Sequence, residues 1–171
     1  NEIGTIQPIS ELSKMLRDAD CLFHSDIAQA PKTILCTSLA DHADLLSLSG
    51  HKIGAPQGIG ALFIAANLQE SLTPLIHGGG QQNGIRSGTL PLPLCVGLAK
   101  ACELLNCPEA EVRREDTAKL RDYFWSAIQD AGISAQLNGP ALAKRHVGNL
   151  NVSLDGCAAS EVLMLLQPNV C

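Results

Sequence analysis

Three short stretches of this sequence place reactive side chains where an apolar run gives way to a loop. In the first, Asp26 and Gln29 flank Ile27-Ala28 just after Cys21-Leu22-Phe23-His24. In the second, Ser49-Gly50-His51-Lys52 follows Leu45-Leu46-Ser47-Leu48. In the third, Arg86-Ser87-Gly88-Thr89 closes a glycine-rich stretch that begins at Gly78-Gly79-Gly80. A lysine that ends an apolar run is costly if charged and buried, so it either reaches out to solvent or is held in a special site. Desolvation lowers an amine's pKa and makes it a nucleophile suited to a Schiff base. A nearby carboxylate can hold a positive ring nitrogen, and hydroxyls, an imidazole and glycine-rich backbone can hold a phosphate.

A pyridoxal-phosphate enzyme needs these parts: a lysine for the aldehyde, a carboxylate for the pyridine nitrogen, and small donors for the phosphate. Lys52, Asp26 and the set Ser49, His51 and Thr89 can fill those roles. Each residue also has a plain reading. Asp26 is equally a turn former or helix cap, Lys52 and His51 equally surface residues, and the glycines equally a flexible loop. A nucleotide-binding loop is excluded for residues 78–89, because no Gly-Lys-Ser/Thr follows the glycines.

The elements that must position these groups follow from periodicity. A helix is predicted over residues 10–19, capped by Ser10, with Leu12, Met15, Leu16 and Ala19 along one side. Residues 21–24 read as a buried strand ending at Asp26, residues 45–48 as a second, and residues 61–64 as a third after the break Gly58-Ile59-Gly60. A helix follows over 92–105, ended near Pro108. Leu120, Tyr123, Phe124, Ala127, Ile128 and Ala131 then recur with a 3.6-residue period up to Gly132. Residues 147–154 read as a strand and 158–167 as a helix that Pro168 ends. Strands alternating with helices imply an α/β sheet with its functional groups at strand ends. Asn106-Cys107-Pro108-Glu109 is the candidate domain boundary, dividing residues 1–107 from 108–171.

Composition bounds the function classes. Of 171 residues, 46% are hydrophobic and 17% charged, which suits a globular chain with a core. The 12 basic against 17 acidic residues leave a net charge of −5, which argues against a nucleic-acid surface. No apolar run reaches the ~20 residues of a membrane span and no signal peptide opens the chain. Its first residue is Asn1, and its end reads as a strand cut mid-course, so a piece of a longer protein is expected. The seven cysteines show no Cys-x-x-Cys spacing, so no metal site is expected and free thiols in a reducing compartment are the plain reading. Cys36, Cys95, Cys102, Cys107 and Cys157 read as packing residues.

Four segments in order carry a resemblance: residues 1–9 (Asn-Glu-Ile-Gly-Thr-Ile-Gln-Pro-Ile), 24–29 (His-Ser-Asp-Ile-Ala-Gln), 47–52 (Ser-Leu-Ser-Gly-His-Lys) and 78–89 (Gly-Gly-Gly-Gln-Gln-Asn-Gly-Ile-Arg-Ser-Gly-Thr). Together they resemble the cysteine desulfurases, pyridoxal-phosphate enzymes of iron–sulfur assembly and nitrogen fixation in the class V aminotransferase superfamily. The resemblance implies a pyridoxal-phosphate-dependent transferase fold of the aspartate-aminotransferase type (fold type I). Residues 1–107 would be the C-terminal part of the large domain and 108–171 the start of the small α+β domain.

It also implies that Lys52 forms the internal aldimine and, with His51 beside it, makes up the catalytic pair. Asp26 pairs with the pyridinium nitrogen, and Gln29 bonds the ring's phenolic oxygen. Ser49 and His51 bind the phosphate, Thr89 reaches the phosphate of the other subunit of a homodimer, and Asn1 lies beside cofactor and substrate carboxylate. The implied reaction turns L-cysteine into L-alanine and passes its sulfur as an enzyme persulfide to an acceptor or scaffold protein. The implied location is the cytoplasm or an organelle matrix.

The sequence departs from the family at Ile27, where alanine is usual, and at Gln82-Asn83, where Glu-Arg is usual. The family's stacking histidine, hydroxyl-bearing phosphate loop, persulfide cysteine loop and substrate-gripping arginine match nothing here. Cys171 follows Asn169-Val170, which matches the strand leading into the cysteine loop rather than the loop itself. The rival expectations are a selenocysteine lyase or other class V enzyme, and a non-catalytic piece that folds and dimerises only.

Overall fold

A computed structural model describes residues 1–34 and 36–169, so the reading of Cys171 lies outside the described residues. The described chain forms two compact units. The first, Gln7–Glu111, carries helix α1 (Ile9–Asp18), strands β1 (His24–Asp26), β2 (Leu45–Ser49) and β3 (Gly60–Ile64), and helix α2 (Leu92–Leu105). The strands form one sheet in that order, β1 parallel and β3 antiparallel to the central β2. Leu46 and Leu48 lie two residues apart and so share one face of β2. Leu46 packs with Leu39 and Ala43, and Leu48 packs on Ile53, Ala55 and Ala101 of α2.

Three local expectations change. The helix begins at Ile9, with Pro8 in the cap position and Ser10 inside it, and Met15 turns outward, 67% exposed. Proline is well suited to a helix start, because its missing N–H is one that the first turn leaves unbonded anyway. The strand expected from residue 21 begins only at His24, leaving Cys21 and Leu22 exposed. Its pairing with β2 covers three residues, and the chain before it answers to no neighbouring strand among the described residues. Cys157, expected to pack, is exposed, while Cys36, Cys95, Cys102 and Cys107 are half-buried.

The second unit joins Asn1–Ile6 to the chain from Val112 onward. It carries most of helix α3 (Pro108–Asp130), the antiparallel pair β4 (Ala135–Leu137) and β5 (Val152–Leu154), and helix α4 (Ala159–Leu166). Of the strand expected over 147–154, only the last three residues pair. The apolar stripe of α3 faces outward within this unit, with Leu120, Tyr123 and Phe124 exposed by 69%, 75% and 59%.

Arg145 is the buried hub here. Its guanidinium donates to the carbonyls of Pro140 and Asn138 and, at 3.3 Å, to Oδ1 of Asn149. Burial, with a smaller contribution from the charge of Arg121, lowers its pKa from the usual arginine value. Thr5 bridges to Arg145, and the His146 N–H donates to the Gly4 carbonyl at 2.8 Å, which ties the opening hexapeptide to this unit. No helix among the described residues is long and apolar enough to cross a membrane.

Candidate functional site

The parallel pairing of β1 with β2 decides where the reactive residues meet. Asp26 stands opposite Ser47, and the Ile27 N–H donates to the Ser47 carbonyl at 2.9 Å, so both strands end on the same side. Ser49 is the last residue of β2, and the 3₁₀ turn Gly50–Ile53 that follows carries His51 and Lys52. Asp26, Ser49, His51 and Lys52 thus gather at the C-terminal ends of the two parallel strands, the general location of ligands in open α/β sheets.

The turn is rigid for a local reason. Gly50 is buried against β3, its N–H donating to the Ile59 carbonyl at 2.9 Å. A Cβ at Gly50 would stand 2.6 Å from that oxygen, so no larger residue fits. Ala55 N–H returns to the Gly50 carbonyl at 3.0 Å, and Gly54 ends the turn at φ +91°. Ile53 and Ala55 anchor it in the core, while His51 and Lys52 project outward.

Two readings left open by the sequence are narrowed. Lys52 is exposed, reaching out to solvent among the described residues. Asp26 does serve as a turn former: its Oδ1 accepts from the Ala28 N–H at 2.8 Å, shaping the bend that carries the exposed Gln29. Oδ2 keeps its acceptor capacity. Ser49, His51, Lys52 and Gln29 make no side-chain hydrogen bond among the described residues.

The glycine-rich loop is organised from within. Ser87 is buried and its Oγ accepts from the Gly80 N–H at 3.4 Å, while Gln81 Oε1 accepts from the Gly88 N–H at 2.8 Å. Gln82 and Asn83 both take the left-handed conformation, at φ +52° and +56°. Arg86 donates to the carbonyl of Ser87 next to it. Thr89 is exposed and makes no hydrogen bond to the residues at the strand ends. Asn1 belongs to the second unit, where its Nδ2 donates to Glu2 Oε1 at 3.2 Å.

Sequence reasoning missed Ser47 and Ser87. The first is joined to His24 across the strands, Nε2 to Oγ at 3.2 Å, and the second holds the loop together. The alternation of β1 and β2 contains the first signal, whereas Ser87's burial depends on how the loop closes and leaves no local mark. Among the described residues no group of three or more His, Cys, Asp or Glu could hold a metal ion.

Comparison with known proteins gives concordant matches. The family model for class-V aminotransferases matches residues 1–170. The cysteine desulfurase IscS of Rickettsia rickettsii is 42% identical over 167 residues, which is 98% of this chain and 40% of that protein. A solved NifS-like protein superimposes with a TM-score of 0.84 at 32% identity, covering 96% of this chain and 44% of the other. SspA, solved in complex with cysteine, superimposes with a TM-score of 0.69 at 35% identity, covering 96% of this chain and 43% of the other. The chain thus spans about two-fifths of the length of the relatives it matches.

Proposed function

From the premise that this chain belongs to the class-V aminotransferase family, we propose that it forms the cofactor-binding part of a pyridoxal-phosphate-dependent cysteine desulfurase. Residues 1–107 are then the end of the large domain and 108–171 the start of the small one. The likeness to proteins named cysteine desulfurase and to one solved with cysteine supports L-cysteine as substrate. One observation carries the reading: the parallel register that sets the Asp26 carboxylate and the amine-bearing turn Gly50–Ile53 at the same end of the sheet.

The donor set fits the cofactor. An amine, a carboxylate oxygen, a hydroxyl and an imidazole stand without intramolecular partners at one sheet edge, on a turn that a Cβ at Gly50 would disrupt. Pyridoxal 5′-phosphate supplies, when bound, an aldehyde that condenses with amines and a ring that withdraws electrons from the substrate's α-carbon. Lys52 would be the residue that holds it covalently and the group that moves protons at that α-carbon. Asp26 would pair with the protonated ring nitrogen, and Gln29 would donate to the phenolic oxygen. Ser49 and His51 hold the phosphate, and Thr89 adds a hydroxyl to the site of the second subunit of a homodimer. Asn1 faces the substrate carboxylate.

In balance, L-cysteine and an enzyme thiol become L-alanine and an enzyme persulfide, whose sulfur passes to an acceptor protein. The proposed location is the cytoplasm or an organelle matrix.

The test uses the full-length protein. Borohydride reduction followed by peptide mapping is expected to find the pyridoxyl group on Lys52, and Lys52→Ala to lose both the yellow absorbance and sulfide release. A pyridoxyl group on a different lysine refutes the assignment.

A further inference from the structure

The two faces of the β1–β2 pair carry opposite chemistry. Side chains alternate along an extended chain, and Phe23 and Ile27, on either side of β1, pack with Leu39, Ala43 and Leu46 in the core. His24 and Asp26 therefore belong to the other face. On β2 the same alternation sends Leu46 and Leu48 into the core and leaves Ser47 and Ser49 opposite them. His24, Asp26, Ser47 and Ser49 thus share one polar face. The proposed reaction uses Asp26 and Ser49 and leaves His24 and Ser47 without a part.

Ser47 holds the chain on both sides of Asp26, its register partner across the strands. Its carbonyl accepts from the N–H of Ile27, one residue beyond, at 2.9 Å. Its Oγ stands 3.2 Å from Nε2 of His24, two residues before. A hydroxyl and an imidazole share such a bond with the proton on either partner, and a diagonal pair of this kind ties two strands across one face. β1 is three residues long, so few ladder bonds fix it. At its start Asp44 Oδ2 accepts from the Phe23 N–H at 2.7 Å, and towards its end the holding group is Ser47. Oδ1 of Asp26 is taken by the Ala28 N–H. The aim of the remaining oxygen therefore follows from the backbone that Ser47 clamps.

We propose that Ser47, with His24 as its partner, is a positioning residue for Asp26: the bond across the polar face holds the end of β1 so that the free carboxylate oxygen is presented where the two parallel strands end. This rests on the reading of Asp26 as the partner of a protonated ring nitrogen. Ser47 acts through Asp26, so its loss slows the chemical step and leaves cofactor attachment at Lys52 and substrate affinity in place.

Ser47→Ala and His24→Ala in the full-length protein test the bond, and Asp26→Asn separates positioning from mere structure. Each of the first two is expected to keep the cofactor absorbance and to lower kcat about fivefold, the worth of one neutral hydrogen bond, with KM for L-cysteine changed by less than about twofold. In the cofactor-free protein Ser47→Ala is expected to speed amide exchange at Ile27 by about fivefold as well. Ser47→Thr keeps the hydroxyl and recovers most of both losses. In an Asp26→Asn background Ser47→Ala is expected to lower kcat no further, because the group it positions is already gone. Unchanged exchange at Ile27 in Ser47→Ala overturns the clamp itself. Unchanged kcat in Ser47→Ala, or the same fall in the Asp26→Asn background, overturns its role toward Asp26. Undiminished turnover in Asp26→Asn alone refutes instead the reading of Asp26, and with it the purpose assigned to the clamp.

Discussion

Asp26 shows how one side chain can shape a bend and still keep an oxygen available. Its Oδ1 is committed to the Ala28 N–H, which stiffens the bend leading to Gln29. A carboxylate is the partner that a protonated pyridine requires. Asp26→Asn keeps an oxygen for the Ala28 bond and removes the charge. Full-length Asp26→Asn is expected to retain bound cofactor by absorbance and to lose turnover on the order of a hundredfold; undiminished sulfide release would exclude the role. Asp26, Gln29, Ser49, His51, Lys52 and Thr89 stand out in the sequence as candidates because each lies where an apolar run or a glycine-rich loop stops. The exposure of Lys52 was not legible, since burial is set by what packs above a strand end rather than by the strand itself.

Among the elements, the unit from β2 through Gly50–Ile53 to β3 is the frame on which the site depends. Its antiparallel register runs from Leu45↔Ile64 to Ser49↔Gly60, so any shift there would move His51 and Lys52 with it. Gly50→Ala forces a Cβ against Ile59 O and is expected to cost about 1–3 kcal/mol, read as a lowered urea midpoint, together with weaker cofactor retention. A midpoint equal to that of the unsubstituted protein would show that the turn yields easily.

Helix α2 was predicted over about 92–105, the span it takes, because the segment between Pro91 and Asn106 is mostly apolar and too long for a strand. β4 was missed because three residues with one polar member carry too short a pattern to separate from a loop. The stripe on α3 was read as a 3.6-residue period, and within its unit Leu120, Tyr123 and Phe124 are exposed. Its exposure predicts that the 171-residue chain self-associates, and that L120S/Y123S/F124S reduces the sedimenting species to monomer. A chain that is monomeric without those substitutions would argue against a sticky face.

For the whole molecule, the chain carries the edge proposed for the cofactor yet spans two-fifths of its relatives, and its proposed catalytic lysine stands in the open. Incubated alone with pyridoxal phosphate and L-cysteine, the 171-residue chain is expected to release no sulfide above the protein-free control, whereas the full-length protein does. Release by the short chain would place the entire chemistry within these residues. The sequence motifs pointed to a family and a reaction, and the family followed. The partnership of Asn1–Ile6 with residues beyond Val112 was invisible in them, because hydrogen bonds between asparagines and a distant carbonyl leave no periodicity.

The contact between Glu2 and Asn151 joins residues 149 positions apart. A ribosome adding 5–20 residues each second needs roughly 7–30 s to cover that distance. Throughout that interval the Glu2 carbonyl lacks both amide donors, Asn149 and Asn151, and keeps company with water instead. Birth order thus makes the start of this segment among the last parts to settle.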